Sequence, residues 1–127
     1  MLAAEGSIES SMFNPLAIFA EVDLFKNWIP KLDYVRELTK VTNFRRILHY
    51  SFKMPLIIAN RDFVCSAVGN IDKKRKAVVF TLNTVQSGTY FGIPIPEPGK
   101  CVRVDMKLGC VGFEYLNEKE CRFRIML

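Results

Sequence analysis

The chain has 127 residues, half of them hydrophobic, which suffices for one domain that buries roughly two thirds of its unfolded surface. No apolar run approaches the roughly 20 residues that cross a bilayer, and acidic residues interrupt the N-terminal stretch where a leader peptide is apolar. We therefore expect a cytoplasmic protein, at most peripheral at membranes, whose net charge of +5 favours anionic surfaces.

A strand and an amphipathic helix are the first predicted elements. Residues 2–9 alternate weakly and predict a short strand. Residues 11–26 carry apolar side chains at spacings of three and four, the period of a helix with one apolar face. These side chains are Phe13, Leu16, Ala17, Ala20 and Leu24. Ser10 or Ser11 is the expected N-cap, and Pro15 fits only near the helix start, where its missing N–H has no intrahelical partner.

From residue 34 onward the pattern has the two-residue period of strands. Strands are predicted at residues 34–41, 44–53, 61–69 and 77–86, with an exposed hairpin turn at residues 70–76. In the second of these strands the apolar side chains share one face, and the other face, which carries His49, is predicted to be largely in water. The cationic run at residues 73–76 is interpreted as a solvated tip that draws the domain to anionic membranes.

Residues 87–100 hold three of the six prolines and three of the seven glycines, so we predict a long loop without regular structure. Four apolar side chains in this loop require packing or a partner, namely Tyr90, Phe91, Ile93 and Ile95. Alternation over residues 102–110 predicts a further strand. A turn at residues 117–119 then leads into a final strand that ends at Leu127.

No catalytic or metal-binding constellation is found. The four cysteines form no CxxC pair and are accompanied by a single histidine, His49, so we interpret them as free thiols. His49 is predicted to be exposed or paired at the surface. Arg61 and Asp62 are predicted to form a local ion pair in a turn. We therefore expect neither an enzyme nor a bound cofactor.

Two segments of the chain resemble the START family of lipid-binding domains. The first is Trp28-Ile29-Pro30, and the second runs from Pro55 through Asn60-Arg61-Asp62 to an aromatic residue and a valine. The resemblance implies an α+β helix-grip fold, in which a curved antiparallel sheet with an N-terminal helical segment wraps a long C-terminal helix. Counterparts of that helix and of the family's first elements are not found in residues 1–127. We accordingly expect a single START-like domain, incomplete at both ends.

The resemblance also implies an apolar cavity that holds one lipid or sterol. The residues expected to contact the lipid are Leu48, Tyr50, Phe52, Phe63, Cys65, Ala67 and Met106. Some sterol-binding members place an inward carboxylate and arginine at positions that fall here on Leu48 and Ala67, which disfavours a sterol. Polar contacts to a headgroup are expected from Arg46, Tyr50, Thr81 and Asn83.

The resemblance further implies that the loop at residues 88–99 packs near the family's C-terminal helix. We therefore expect Tyr90, Phe91, Ile93 and Ile95 to act as a gate. Without the helix we expect the exposed groove, and the strand ending at Leu127, to drive self-association, as uncovered apolar patches and edge strands do.

The expected function is non-covalent binding, with intermembrane transfer, of a single lipid. Two alternatives stay open. One is an enzyme of the wider helix-grip superfamily, a cyclase or hydrolase, which requires an inward acid–base pair. The other is a protein-interaction module that uses the loop at residues 88–99. The expected partners are a lipid ligand and a transient membrane surface, with no nucleic acid.

Overall fold

Strands make up most of the computed structural model, which describes residues 1–127. Each long predicted strand except the one at residues 102–110 is confirmed, with its ends moved by at most three residues. The strands are β1 Ala3–Ile8, β2 Leu32–Thr42, β3 Arg45–Phe52, β4 Arg61–Asp72, β5 Ala77–Val85, β6 Thr89–Tyr90, β7 Ile93–Pro94, β8 Val102–Arg103, β9 Gly109–Asn117 and β10 Glu120–Met126.

One curved eight-stranded sheet carries the fold, in the order β1-β10-β9-β5-β4-β3-β2. Its neighbours are antiparallel, except that β8 pairs in parallel with the start of β4. The predicted α+β architecture, a curved antiparallel sheet with an N-terminal helical segment, is confirmed. Because side chains alternate, β3 presents Leu48 to the concave face and Ile47 to the convex face.

The helical segment is shorter and more broken than predicted. Residues 11–26 form α1 Phe13–Ala20 and a 3₁₀ turn Val22–Leu24, and α2 Phe25–Trp28 follows. Glu21, at φ −93° and ψ 79°, leaves the helical region and turns Val22 and Phe25 into the concave face, where both are buried. Met12 occupies the N-cap position instead of Ser10 or Ser11. Neither helix is long and apolar enough to span a membrane.

The core of the concave face lies between the helical segment and the sheet. Val22, Phe25, Leu32 and Leu48 form a buried cluster there. Farther along the sheet, the ring of Phe19 lies 5.6 Å from that of Phe80 and 5.2 Å from that of Phe113. The helix α1 therefore lies across β5 and β9, while α2 covers β2 and β3.

Residues 86–101 form a second layer on the convex face and lead into β8 at the sheet, and we call residues 86–104 the back segment. Ile95 of this segment is buried against Ile47 and Val64. The prediction that this face of β3 is largely in water is therefore wrong, because His49 and Ser51 are buried beneath the segment. The segment is not wholly irregular either, since β6 and β7 form a hairpin whose turn residues, Phe91 and Gly92, have φ of 48° and 73°.

The strand predicted at residues 102–110 is wrong in its middle part. Only Val102–Arg103 pairs as a strand before Gly109. Between them, the Met106 main chain bonds to Thr84, whose hydroxyl accepts a hydrogen bond from the Met106 N–H at 2.8 Å. These bonds take the place of ladder pairing, which alternation along the chain cannot reveal.

The strand that ends at Leu127 lies inside the sheet. β10 pairs with β1 on one side and β9 on the other, and Leu2 and Leu127 exchange two main-chain hydrogen bonds of 2.8 Å. The prediction that this strand pairs with another copy of the chain is therefore wrong, since its main-chain groups are already bonded. The edges of the sheet are β1 and β2.

Different turns and loops lie at the two ends of the sheet. At one, the tip end, lie the turn at residues 43–44 and the exposed hairpin turn at residues 73–76, which confirms the predicted tip. At the other, the loop end, residues 53–60 join β3 to β4. β4 runs between them, and its 12 residues correspond to about 40 Å at roughly 3.3 Å per residue.

Candidate functional site

A cavity of about 360 Å³ lies between the helical segment and the concave face. Of its 16 lining residues, 13 are hydrophobic. The helical segment contributes Leu16, Phe19, Ala20, Val22 and Phe25, and the sheet with its turn contributes Asn43, Phe44, Arg46, Leu48, Tyr50, Ala67, Gly69, Ile71, Val78, Phe80 and Leu82. The lining contains no carboxylate, imidazole or thiol, and its ionisable side chains are Arg46 and Tyr50.

The cavity is deepest beneath α2 and opens toward the tip end. Val22, Phe25 and Leu48 are buried at its base. Phe44 and Ile71, at the other end of the lining, are 59% and 60% exposed. The Gly69 N–H donates to the Phe44 carbonyl at 2.7 Å, and Ile71 follows Gly69 by two residues on the same face of β4. Phe44 and Ile71 therefore form the rim of the mouth.

Arg46 is the single charged residue of the lining. Its Nη1 donates to the Ala20 carbonyl at 2.7 Å and lies 3.6 Å from a Glu37 carboxylate oxygen. The first bond ties the end of α1 to β3, so the side chain supports one cavity wall. An arginine has five N–H donors, and those not used in this bond are available to a ligand group with lone pairs.

Among the polar side chains predicted to contact a headgroup, Tyr50 is the second that lines the cavity. Its ring stacks on Phe63 at 4.8 Å and lies 6.4 Å from Phe25. Burial raises the pKa of the phenol, so the hydroxyl stays neutral. Thr81 and Asn83 are wrongly predicted, because they pair with Val68 and Ser66 on the convex face.

Three of the residues predicted to contact a lipid line the cavity, namely Leu48, Tyr50 and Ala67. Phe63 and Phe52 extend the aromatic row beyond its base, with ring centroids 5.6 Å apart. Cys65, which pairs with Leu48, lies on the same face, and burial raises the pKa of its thiol to about 12. Met106 lies farther off, beside Gly109 at the loop end. Phe52, Phe63, Cys65 and Met106 thus share the concave side of the sheet without lining the cavity.

The sequence interpretation missed the half of the lining that comes from α1 and β5. Phe80 and Leu82 lie opposite Gly69 and Ala67 in the β4–β5 hairpin. The alternation of apolar residues in β5, together with the turn at residues 73–76, was sufficient to predict this pairing register. Phe19 and Leu16 were harder to find, because the packing of a helix on a sheet is not encoded in the helix period alone.

The predicted gate residues lie on the opposite side of the sheet from the cavity. Ile95 is buried on the convex face, and the Tyr90 hydroxyl lies 3.5 Å from Ser66 Oγ on that same face. Phe91 is exposed and lies under the Arg45 guanidinium at 5.0 Å. The prediction that Tyr90, Phe91, Ile93 and Ile95 close or fill the groove is therefore wrong.

A buried polar network fastens the back segment to the convex face. Arg103 donates from Nε to Asp62 Oδ1 at 2.9 Å and from Nη2 to Asp62 Oδ2 at 2.8 Å. It also donates to the carbonyls of Gln86 and Pro96 at 2.8 and 2.6 Å. Because one side chain bonds to Asp62 and to two distant points of the segment, it joins that segment to the sheet.

Asp62 accepts a further hydrogen bond from within the sheet. His49 Nε2 lies 2.9 Å from Asp62 Oδ2, and the Tyr34 hydroxyl lies 3.0 Å from the same nitrogen. Burial alone raises the pKa of Asp62, but the bonds from Arg103 and His49 outweigh burial and hold the pKa below its usual range.

Two predictions are corrected by this network. His49 is buried instead of exposed. Asp62 forms no local pair with Arg61, whose guanidinium donates to the Ala59 carbonyl. The reason is that both residues begin a strand whose alternation directs them to opposite faces, and Asp62 meets the back segment.

Comparison with known proteins returns structures but no sequence relatives. No protein-family profile and no curated protein matches the chain. Human STARD10 is similar in structure, with a TM-score of 0.80 at 13% identity over 97% of this chain and 49% of that one. Human StAR-related lipid transfer protein 5 has a TM-score of 0.75 at 16% identity, over 97% of this chain and 57% of that one.

A bacterial structure gives a similar result. The STAR-related lipid transfer protein from Xanthomonas axonopodis has a TM-score of 0.74 at 13% identity, over 98% of this chain and 66% of that one. The chain thus spans about half to two thirds of the structures it matches. At these identities the likeness shows a common fold, and the resemblance to START domains found in the sequence is confirmed at the level of the fold.

Proposed function

We propose that this chain, which has the fold of START domains, binds a single lipid non-covalently in the cavity of the concave face and exchanges it with membranes. The observation that carries the proposal is the cavity itself, about 360 Å³ with 13 hydrophobic residues among 16. Its volume lies within the range of small-molecule sites, about 300 to 1,000 Å³. The structurally similar proteins include two named for lipid transfer.

The driving force for binding is the removal of an acyl chain from water. Burial of one methylene contributes about 0.8 kcal/mol, so eight methylenes contribute about 6 kcal/mol before the cost of ordering the chain. The wall formed by Leu48, Phe80 and Leu82 gives this chain apolar contacts on the sheet side. Arg46 and Tyr50 are the polar side chains that reach the lining, and we assign any headgroup contact to them.

The proposal includes predicted lipid contacts that lie outside the cavity but on the same concave face. Phe52, Phe63 and Cys65 lie beyond its base on one apolar surface, so a longer chain that displaces α2 would meet them next. The alternative function as a cyclase or hydrolase requires an inward acid–base pair, and the lining contains no carboxylate or imidazole to form one. An interaction module built on residues 88–99 keeps only Phe91 as a strongly exposed apolar side chain, since Tyr90 and Ile93 are half-buried and Ile95 is buried.

Native mass spectrometry of the protein purified from cells tests this proposal. We expect a co-purifying lipid at one molecule per chain. The Ala67→Phe variant places a phenyl ring in the cavity and should weaken lipid binding by about tenfold or more, since displacing two methylenes of the lipid costs about 1.6 kcal/mol. Ala77→Phe is the matched control, because Ala77 pairs with Asp72 at the tip and does not line the cavity. Absence of lipid from the wild type, or equal occupancy in both variants, would refute the proposal.

A further inference from the structure

Arg46 places a positive charge in the wall of a cavity that is otherwise uncharged. Of the 16 lining residues, it is the one that is charged at neutral pH, because burial raises the pKa of Tyr50 and keeps its hydroxyl neutral. Asn43 lines the same end, and its amide, which both donates and accepts hydrogen bonds, favours neither sign of charge. The electrostatic preference of the cavity therefore depends on one guanidinium.

The guanidinium of Arg46 keeps free hydrogen-bond donors. Nη1 donates to the Ala20 carbonyl at 2.7 Å, whereas Nε and Nη2 donate to no protein group. These two nitrogens are in contact with open space, since no buried side-chain nitrogen lacks a partner. The side chain is only 24% exposed, and a charge held largely out of water is stabilised by an opposite charge. Arg46 thus has both the donors and the environment to bind an anion.

The charged neighbours of Arg46 do not satisfy it. Glu37 Oε2 lies 3.6 Å from Nη1, beyond the usual hydrogen-bond distance. Lys40 pairs directly with Arg46 across β2 and β3, so its side chain leaves the sheet on the same concave face and offsets Glu37. The charged residues of the adjoining helical segment are exposed, and none lines the cavity or forms a salt bridge with Arg46, namely Glu21, Asp23 and Lys26.

We infer that the lipid of this cavity is an anionic amphiphile with one acyl chain, whose carboxylate or phosphate accepts hydrogen bonds from the free donors of Arg46. The inference rests on the proposed function and adds to it the class of lipid. The guanidinium fork matches two oxygens of a carboxylate or phosphate, and hydrogen bonds between charged groups are the strong ones. A cationic headgroup would meet a like charge at Arg46 and no carboxylate in the lining.

The dimensions of the cavity fit one chain. From Arg46 the wall follows β3 past Leu48 to Tyr50, a distance of about 13 Å at roughly 3.3 Å per residue. An extended chain of about ten carbons spans this distance, since a C–C bond of about 1.5 Å advances the chain by about 1.3 Å. The volume of about 360 Å³ lies near the lower limit of small-molecule sites, about 300 Å³, which favours one chain over two.

Three ligands that share a ten-carbon chain separate charge from apolar burial. Isothermal titration calorimetry at pH 7 gives the affinities for decanoate, decyl phosphate and 1-decanol. We expect both anions to bind the wild type at least about tenfold more tightly than 1-decanol, because a hydrogen bond to a charged group contributes about this factor. The ratio of the two anion affinities shows whether a carboxylate or a phosphate is the preferred group.

Arg46→Gln and Arg45→Gln form a matched pair of variants. Both remove one positive charge from β3, but Arg45 lies on the convex side, where it donates to the Tyr90 hydroxyl. The glutamine amide can still donate to the Ala20 carbonyl. Arg46→Gln should lose about tenfold or more in affinity for the anions and keep its affinity for 1-decanol, whereas Arg45→Gln should bind all three ligands as the wild type does.

Glu37→Gln supplies an arm with the opposite sign. It removes the carboxylate that competes for the Arg46 guanidinium, so affinity for both anions should rise by about two- to fivefold, the range of an exposed ion pair. Affinity for 1-decanol should not change, because Glu37 does not line the cavity. A fall in anion affinity in this variant would contradict the role assigned to Arg46.

The ligand series also separates this inference from the proposed function. If the anions and 1-decanol bind the wild type equally, or Arg46→Gln weakens all three alike, Arg46 only supports the cavity wall; the inference is then wrong and the proposed function stands. An equal loss of anion affinity in Arg45→Gln likewise overturns the inference, since the effect would not come from the cavity. If none of the three ligands binds the wild type, the proposed function itself fails.

Discussion

Replacing Arg103 by methionine tests whether the buried network holds the back segment on the sheet. The variant keeps most of the apolar bulk but removes all four hydrogen bonds that Arg103 makes to Asp62, Gln86 and Pro96. Asp62 is 1% exposed, so its carboxylate would stay buried with His49 as its remaining charged or polar side-chain partner. Removing one member of a buried pair costs about 3 to 5 kcal/mol.

This loss is large compared with the stability of a domain of this size. A typical domain has a free energy of unfolding of about 5 to 15 kcal/mol, so the variant should lose about a fifth or more of its stability. With a urea dependence of about 2 kcal/mol per molar, the unfolding midpoint should fall by about 2 M. The assay is urea unfolding followed by the fluorescence of Trp28, whose ring lies 5.4 Å from that of Phe25 beneath the sheet.

Arg61→Met is the matched control for this measurement. Arg61 lies next to Asp62 in sequence, yet its side chain makes one exposed hydrogen bond to the Ala59 carbonyl. Its loss should change stability by no more than about 0.5 kcal/mol. Equal midpoints for the two variants would refute the structural role assigned to Arg103. Hydrogen exchange then shows whether the back segment opens first, because the Val102 and Val104 amides donate to the Asn60 and Asp62 carbonyls only while it is in place.

Two further predictions concern ionisable groups on either face. Because the pKa of Asp62 is lowered, the stability that its carboxylate contributes is fully present above the ordinary pKa of 3.8 and is lost as pH falls through the lower folded value. The Asp62→Asn variant should therefore be less stable than the wild type at neutral pH. In urea unfolding at a series of pH values, the difference in stability should narrow below about pH 4. The pKa of Cys65, raised to about 12 by burial, should make this thiol resist iodoacetamide at neutral pH until the protein unfolds. Partly exposed Cys101 and Cys110 should be labelled first, as peptide mass spectrometry would show, and early labelling of Cys65 would contradict its burial.

Local patterns in the sequence were sufficient for the order of the elements and for one face of the sheet. The two-residue period in β3 placed Leu48 and Tyr50 together, and the polar run at residues 73–76 marked the hairpin tip. Both inferences depend on neighbours along the chain or across one tight turn, so the physics that decides them is local. The resemblance of Trp28-Ile29-Pro30 and of the segment around Asn60-Arg61-Asp62 to START domains then predicted the correct fold.

The tertiary structure alone decided what covers each face. A strand with one apolar and one polar face is predicted to expose its polar face to water. Whether water or another segment covers that face depends on residues far along the chain. Here residues 86–104 cross the convex face, so His49 and Asp62 are buried where the pattern indicates water. The same long-range packing placed Tyr90 and Ile95 away from the cavity, and the break at Glu21 directed Phe25 into its base. Contacts between residues far apart along the chain leave no period in the sequence, and for this reason the cavity is defined only by the tertiary structure.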